Sequence, residues 1–445
     1  MAQFFKASST TNTKNRILKN IVIEKLDHQG RGMAFFQNKP LFIDGALIGE
    51  SLDIQILESK KRYSKGDIKR INKASELRIE AACPHYAECG GCHLQHLAHD
   101  QQIKVKSEGL ISLFSRFAKQ TPEQLAEPVI DKPWGYRRTA RFGLQFNKKS
   151  KKLEMGFRRA SSNSLIDQKV CPVLLPDLEV LITPVKLLLN SLNSKMTLGH
   201  VELIYSEQGV VVLLRHMKAL SAEDLALITD FSETHKLNFF TQGKDDLVCV
   251  SGTSKLSYQI NASDCTMNFS PLDFLQVNNN VNQKMIAQAL AWLSLKADDI
   301  VLDLFCGLGN FTLPIAKQVK QVVGIEGIQK MVDRASDNAT FNKLDNITFY
   351  QADLSADNVL KQAWATQKYT KVLLDPARAG AFECMLFILK LLPSCIVYVS
   401  CDPVTLARDS KVLLENGYKL DKLGLLDMFP QTAHMESMAC FVRQK

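Results

Sequence analysis

The chain has 445 residues, of which 46% are hydrophobic and 23% are charged. These values exclude a mainly disordered chain and leave room for about three domains of roughly 100–200 residues each. No apolar run reaches the roughly 18–20 residues that span a bilayer, and the first 15 residues lack the apolar segment of a secretory signal. With eleven cysteines in such a chain, we expect a protein of a reducing compartment, the cytoplasm, with no membrane contact.

Charge is unevenly distributed along the chain, although the net charge is only +9. Residues 1–74 contain 14 basic and 7 acidic side chains, and residues 132–159 contain 10 basic side chains and one acid. Residues 272–445 contain 18 of each kind. A basic front half ahead of a neutral back half indicates binding to a polyanion such as a nucleic acid. The alternative is that these lysines and arginines form solvated faces without a ligand.

The first segment, residues 12–70, has the pattern of about five short strands. Apolar and polar residues alternate in ILKNIVIE and ESLDIQIL, and glycines mark the turns between such runs. The next stretch, SKKRYSKGDIKRINK, is basic and contains Lys60, Lys61, Arg62, Lys65, Lys69 and Arg70. We therefore expect a small OB-like β-barrel of the kind that often binds RNA.

The pattern of predicted helices and strands differs between the middle and the back of the chain. Apolar residues at helical spacing predict a helix over 96–120, and 125–270 is mostly strand-like with one helix at SAEDLALITDFSETH. From about residue 280, apolar strand-like runs alternate with helical stretches, which predicts a doubly wound, Rossmann-like α/β sheet. The chain is thus expected to be a multidomain α/β protein. Its expected domains are 12–70, an α+β domain at 75–275 and 276–445.

Four cysteines have the pattern of a metal site. Cys83, Cys89 and Cys92 follow the spacing C-x5-C-x2-C, and Cys171 stands much later, before a proline. Four thiolates suit zinc or an iron–sulfur cluster. Because Cys171 has no neighbouring cysteine to complete a second zinc knuckle, the pattern favours a [4Fe–4S] cluster in the central domain. Zinc remains the alternative, and the nearby histidines that could replace a thiolate are His85, His93 and His96.

A glycine turn in the back half indicates a cofactor site. VLDLFCGLGNFTLPIA is an apolar strand, a turn with paired glycines and a helix start, and Asn310 lies where free N–H groups can meet a carboxylate. The dinucleotide pattern G-x-G-x-x-G is absent. Glu326 ends the next strand, where an acid can accept both hydroxyls of a ribose, and Asp353 follows the third strand near the expected adenine. The run resembles the first motif of methyltransferases that use S-adenosylmethionine (AdoMet).

Two more strand ends carry reactive side chains. Asp375 ends the fourth strand and Cys401 the fifth, so both are expected in the ligand crevice. A thiolate at Cys401 can add to carbon 6 of a uracil, after which carbon 5 attacks the AdoMet methyl group. Glu436 is the expected base for the proton on carbon 5, and Arg378 or Asp375 could orient the pyrimidine. The remaining cysteines of this half are interpreted as packing residues: Cys306, Cys384, Cys395 and Cys440.

Together these residues resemble the RNA uracil-5 methyltransferase family over almost the whole chain. The specific parts are VSCDPVTLARD and HMESMACF. The resemblance implies Cys401 as the nucleophile and Glu436 as the proton acceptor. It also implies that AdoMet is held by a set that spacing alone does not identify completely: Gln276, Phe305, Asn310, Glu326, Asp353 and Asp375.

The front half discriminates within that family. Residues 12–70 resemble a TRAM domain, and the four cysteines resemble the [4Fe–4S] site of the branch that methylates 23S ribosomal RNA. The resemblance therefore implies 23S ribosomal RNA as the partner. No obligate protein partner is evident from the sequence. The alternatives that remain are a transfer-RNA uracil methyltransferase, an enzyme for another uridine of 23S ribosomal RNA, a cytosine-5 methyltransferase and an RNA-binding protein with an idle cofactor fold.

Overall fold

The computed structural model describes residues 16–120, 125–244, 246–356 and 362–444. The chain forms two compact units. The first contains the residues up to Ala81 with Cys92–Gly109 and Gln431–Ala433, and the second contains Ala82–Gly91, Leu110–Pro430 and His434–Lys445. Across the described ranges, no helix is long and apolar enough to cross a membrane.

The first unit is built on one six-stranded sheet. Its strands are β1 (Ile17–Val22), β2 (Lys25–Leu26), β3 (Gly32–Phe36), β4 (Lys39–Ile43), β5 (Ser51–Ser59) and β6 (Ser64–Lys73), and they are ordered β1-β5-β6-β4-β3-β2. In β5, Leu52, Ile54 and Ile56 are buried, because residues two apart on a strand face the same side. The sheet thus has six strands rather than about five and ends at Lys73 rather than residue 70. Residues 12–15 of the expected barrel lie outside the described residues.

The helix expected over 96–120 is shorter than the apolar pattern suggests. Helix α1 spans His99–Leu113, and Phe114–Ala118 continues it as a π-helical segment. That segment ends at Lys119, whose φ of 56° is left-handed and stops the helix. The chain then enters the short strand β7 (Ala126–Val129).

The middle of the second unit is mostly β, as its sequence pattern predicts. Six strands form a sheet ordered β13-β12-β11-β10-β8-β9, namely β8 (Thr139–Asn147), β9 (Lys152–Gly156), β10 (Leu198–Ser206), β11 (Gly209–His216), β12 (Asn238–Gln242) and β13 (Leu247–Ser251). Its helices are α2 (Pro176–Glu179), α3 (Ile182–Ser191) and α4 (Ala222–His235). The helix expected at SAEDLALITDFSETH is α4, and Ser221 caps it by accepting the N–H of Asp224 at 3.1 Å.

A hairpin leads into the back half. It consists of β14 (Leu256–Ile260) and β15 (Cys265–Phe269), which pair antiparallel. The helices that follow are α5 (Asn279–Leu293), α6 (Thr312–Ala316), α7 (Gln329–Phe341), α8 (Phe382–Leu391) and α9 (Pro403–Leu414). They alternate with strands, so the alternation predicted from residue 280 onward is confirmed.

The seven strands of the back half and the short strand β7 form one eight-stranded sheet. The seven are β16 (Ile300–Leu304), β17 (Gln321–Glu326), β18 (Ile347–Gln351), β19 (Lys371–Leu374), β20 (Cys395–Ser400), β21 (Tyr418–Leu426) and β22 (Glu436–Arg443), and the order is β18-β17-β16-β19-β20-β22-β21-β7. The first five in this order are parallel, and β22 is antiparallel to β20. The carboxyl ends of the parallel strands therefore meet at one edge, where ligands of such sheets bind.

Candidate active site

A cavity of about 580 Å³ opens at the carboxyl ends of β16, β17, β19 and β20. Seven of the eight residues expected to bind AdoMet or to catalyse line it: Gln276, Phe305, Asn310, Glu326, Asp375, Cys401 and Glu436. Asp353 does not line the cavity. It is exposed on the loop after β18, and its Oδ1 accepts hydrogen bonds from the N–H and the hydroxyl of Ser355.

The glycine turn after β16 forms the floor of the cavity. Phe305, Gly307 and Gly309 all have positive φ, at 63°, 56° and 91°. The φ of Gly309 favours glycine because residues with a side chain rarely adopt it, and a β-carbon there would also lie 2.4 Å from the Leu313 side chain. Glu326 stabilises the turn by accepting the N–H of Gly307 at 3.2 Å. The turn and the acid at the end of the next strand are therefore one connected structure.

One wall of the cavity is an amide and phenol cluster that the sequence pattern does not reveal. The Tyr258 hydroxyl donates to Asn310 Oδ1 at 3.1 Å, and the amides of Asn310 and Asn282 donate to one another at 2.9 and 3.1 Å. Tyr258 reaches the site from β14 and Asn282 from α5. Because these residues precede the glycine turn by some 30 to 50 positions, no local motif contains them.

Cys401 and Glu436 meet because of the strand order. β22 runs antiparallel to β20 with Ser400 opposite Ser437, so the next residues at that end are Cys401 and Glu436. Asp402 fixes the turn beyond the thiol, since its carboxylate accepts the N–H of Val404 at 2.9 Å and caps α9. The sequence places each residue near the crevice, and the antiparallel pairing brings them to neighbouring positions.

Burial raises the pKa of three side chains in the cavity, Cys401, Glu436 and Asp375. It raises the pKa of Cys401 to about 11, with Glu436 and Asp375 adding to the shift and Arg378 opposing it. Burial likewise raises the pKa of Glu436 well above its usual range, with Asp375 adding and Arg378 opposing. For Asp375, burial raises the pKa to about 7. A thiol and a carboxyl with raised pKa values can exchange protons with a ligand held between them.

One further acidic residue of this edge, Asp303, has a structural partner. Asp303, near the end of β16, is fully buried and receives a 2.5 Å hydrogen bond from the Thr312 hydroxyl. Burial raises its pKa to about 7, and Asp375 and Glu326 add to that shift. Among the residues that sequence reasoning did not assign, His434 and Phe274 also line the cavity.

Three of the four expected cluster cysteines belong to the second unit and one, Cys92, to the first. Within the second unit, Cys83 is close enough to Cys89 for their charges to interact, and both Cys83 and Cys171 are next to Glu179, which accepts the N–H of Cys171 at 2.8 Å. Over the part of the chain that the structure describes, no group of three or more histidine, cysteine, aspartate or glutamate side chains has a metal-binding arrangement.

Comparison with known proteins agrees with the fold. The family model described as tRNA (Uracil-5-)-methyltransferase matches residues 98–444, and a TRAM domain model matches residues 18–69. In the solved structures, a Pyrococcus abyssi tRNA (uracil-54, C5)-methyltransferase in complex with S-adenosyl-L-homocysteine has the same fold. It is 22% identical, with a TM-score of 0.73 over 96% of this chain and all of that one.

Two curated relatives are more similar in sequence. The 23S rRNA (uracil(1939)-C(5))-methyltransferase RlmD of Psychromonas ingrahamii is 68% identical over 99% of this chain and all of the relative. The protein of the same name from Erwinia tasmaniensis is 45% identical over all of both chains. The chain is therefore a methyltransferase with an N-terminal TRAM domain. It belongs to the tRNA (uracil-5-)-methyltransferase family.

Proposed function

We propose that this protein methylates carbon 5 of a uridine in 23S ribosomal RNA, at position 1939, with AdoMet as the methyl donor. The observation that carries the proposal is the pairing of Cys401 with Glu436 at adjoining strand ends in the cavity that also contains the glycine turn. The substrate is inferred from the two relatives, which are named for this activity. We further propose that the protein acts in the cytoplasm, without an obligate protein partner, and that 12–70, 75–275 and 276–445 are its domains.

The chemistry follows from the two side chains. As a thiolate, Cys401 forms a bond to carbon 6 of the uracil, and the electrons of the 5,6 double bond make carbon 5 nucleophilic. Bound AdoMet supplies the electrophilic methyl group, which leaves S-adenosylhomocysteine behind. Glu436 then takes the proton from carbon 5, the double bond re-forms, and the bond between carbon 6 and sulfur breaks. The carboxyl must be ionised at that step, and the positive charge of Arg378 favours the ionised form.

Six residues are proposed to hold AdoMet. Glu326 retains lone pairs for the ribose hydroxyls, although its oxygens already accept the N–H groups of Gly307 and Ile328. Asp353 lies outside the cavity lining, so an adenine that contacts it has to extend towards the exposed loop after β18. The proposed set is Gln276, Phe305, Asn310, Glu326, Asp353 and Asp375.

The RNA is proposed to bind the TRAM domain and the basic segment 132–159. Eight of the ten basic side chains in that segment are exposed: Lys132, Arg141, Lys148, Lys149, Lys151, Lys152, Arg158 and Arg159. Trp134 is half-buried and can still offer an aromatic face. Tyr136, two residues further on, cannot stack on RNA, because it is buried and its hydroxyl donates to the Pro430 carbonyl at 3.0 Å.

We also propose that Cys83, Cys89, Cys92 and Cys171 ligate a [4Fe–4S] cluster. The donor chemistry fits, because four thiolates match such a cluster, and three of the four come from segments near one another in the second unit. A cluster with four thiolate ligands has no open iron, so we propose that it either holds loops of the central domain together or shapes the RNA-binding face. No catalytic step passes through it.

The test is methyl transfer from labelled AdoMet to unmodified 23S ribosomal RNA and, separately, to unmodified transfer RNA, followed by nucleoside digestion. Label in 5-methyluridine from 23S ribosomal RNA alone supports the proposal, and primer extension then maps the position. Label in 5-methyluridine from transfer RNA alone would show that the reaction is as proposed but that the substrate is transfer RNA. Label in 5-methylcytidine, or none in either RNA, overturns the reaction itself. Cys401→Ala protein serves as the blank.

A further inference from the structure

Arg138 is a buried arginine within a segment that sequence analysis treats as surface charge. It stands one residue before β8 and is only 2% exposed. Its Nε donates to the Gln276 carbonyl at 2.8 Å, its Nη1 donates to Asn279 Oδ1 at 3.0 Å, and its backbone N–H donates to the Val277 carbonyl at 2.8 Å. Arg138 therefore holds the whole segment that carries Gln276 into α5.

The same guanidinium supports the wall of the cavity. It lies over the ring of Tyr258, 4.4 Å from the centroid, and the Tyr258 hydroxyl donates to Asn310 Oδ1. Tyr258, Gln276 and Asn310 all line the cavity. Arg138 is thus directly behind the wall that these three residues form.

The charge of Arg138 has little compensation. Within the described ranges no carboxylate lies at ion-pair distance from it; Tyr258 stabilises the cation, and Glu207 does so from farther away. Its Nη2 is buried without a hydrogen-bond partner. An arginine does not lose its proton under ordinary conditions, and a buried cation without a counter-charge is costly. A charge retained in this way indicates an anion that binds nearby.

The orientation of AdoMet identifies that anion. Glu326 ends β17 and Asp353 follows β18, on the side proposed for the ribose and the adenine. The reacting methyl group has to face Cys401, beyond β20. The third substituent of the sulfonium is the amino-acid chain, which by elimination lies against the wall of Tyr258, Gln276 and Asn310. Its carboxylate is the only anionic group of AdoMet.

We propose that Arg138 is a positioning residue for the amino-acid end of AdoMet. It fixes the Gln276 segment and the Tyr258–Asn310 wall through its hydrogen bonds and ring contact, and its charge attracts the ligand carboxylate through that wall. This inference rests on the proposed AdoMet site. It adds that affinity for the amino-acid end depends on a cation that does not itself line the cavity.

The experiment compares two ligands on the purified full chain by titration calorimetry. S-adenosylhomocysteine carries the carboxylate, and 5′-methylthioadenosine lacks the whole amino-acid end. The variants are Arg138→Met and Arg138→Gln, which remove the charge, and Arg138→Lys, which keeps it. Gln can still donate a hydrogen bond to the Gln276 carbonyl, so it is the neutral variant expected to fold if Met does not. Arg443→Met is the control, because Arg443 is an exposed arginine at the far end of β22 from Glu436.

The readout is the dissociation constant of 5′-methylthioadenosine divided by that of S-adenosylhomocysteine. Loss of one charge interaction across several ångströms of protein predicts that the ratio falls about tenfold in both neutral variants. Arg138→Lys and Arg443→Met should keep the ratio of the unmodified protein. An equal loss for both ligands, or an unchanged ratio in Arg138→Gln, overturns the inference. If the unmodified protein binds neither ligand, the proposed AdoMet site fails instead.

Discussion

The carboxylate of Asp409 accepts a 2.8 Å hydrogen bond from the hydroxyl of Tyr398. The same oxygen accepts the N–H of Ala381 at 2.8 Å, and Arg408 donates to the carbonyl of Ala379 at 2.9 Å. These bonds connect α9, which begins two residues after Cys401, to the loop that carries Arg378. The position of the Arg378 cation relative to the nucleophile is therefore set by a buried carboxylate outside the cavity lining.

Removing that carboxylate should destabilise the protein. Asp409→Ala leaves the Tyr398 hydroxyl buried without its acceptor, and it leaves the Ala381 N–H with only the Tyr398 oxygen at 3.1 Å, so we expect the free energy of unfolding to fall by about 3 kcal/mol. Urea denaturation measures the change. Lys411→Ala on the same helix removes an exposed side chain, and its effect should stay within about 0.5 kcal/mol. Equal effects of the two substitutions would show that the Asp409 network contributes nothing.

Arg378 should control how readily Cys401 ionises. Its positive charge lowers the pKa of the thiol, against burial and the charges of Glu436 and Asp375, and the pKa is still about 11. Arg378→Met removes that charge, so the pKa should rise and the thiolate fraction at pH 8 should fall. Alkylation of Cys401 by iodoacetamide, followed over pH 7–10 by peptide mass spectrometry, should then shift to higher pH. Arg378→Lys keeps the charge and should keep the profile, whereas coincident profiles for Met and Lys would remove Arg378 from this role.

The role of Cys401 as the nucleophile can be tested independently of AdoMet binding. Cys401→Ala removes the group that adds to carbon 6, so methyl transfer to RNA should be lost entirely. The thiol lies beyond β20 and is not among the residues proposed to hold AdoMet, so the dissociation constant of S-adenosylhomocysteine should change by less than about twofold. Collecting the labelled RNA on filters measures methyl transfer, and calorimetry measures the dissociation constant of S-adenosylhomocysteine. Residual turnover that survives the substitution would assign the nucleophile elsewhere.

The base acts after the methyl group has been transferred. In Glu436→Gln the amide cannot accept the proton from carbon 5, so the covalent link between Cys401 and the methylated uridine should persist. A denaturing gel should then show protein shifted by the RNA, and the shift should require both AdoMet and Cys401. A Glu436→Gln protein that releases 5-methyluridine at the normal rate would contradict the assignment.

Local patterns predict the parts of this site that lie on single parallel strands. The glycine turn, Glu326, Asp375 and Cys401 each follow an apolar strand, and parallel strands bring such positions to one edge. The adjacency of Cys401 and Glu436 depends instead on β22, which pairs antiparallel with β20 although the two residues are 35 positions apart. Pairings over such distances leave no periodic trace in the sequence.

Counts of charged residues in the sequence also do not reveal which of those residues are buried. Arg138 belongs to a basic segment whose other members are mostly exposed, and nothing in its neighbours distinguishes it. It is buried because Gln276, Val277 and Asn279 supply acceptors from a segment about 140 residues away. Tyr136 is buried for a similar reason, since its hydroxyl bonds Pro430. In both cases the partner is set by the tertiary fold.

The proposed cluster predicts a defined iron content. Protein purified without oxygen should be brown and contain about four irons per chain. Cys171→Ala removes one proposed ligand and should lower the iron content and the visible absorbance, and Cys249→Ala, at a cysteine outside the proposed set, should leave both unchanged. Methyl transfer by iron-depleted protein that remains folded should persist, because no catalytic step uses the cluster. One equivalent of zinc without colour would replace the cluster by a zinc site, and equal iron in all three proteins would exclude Cys171 as a ligand.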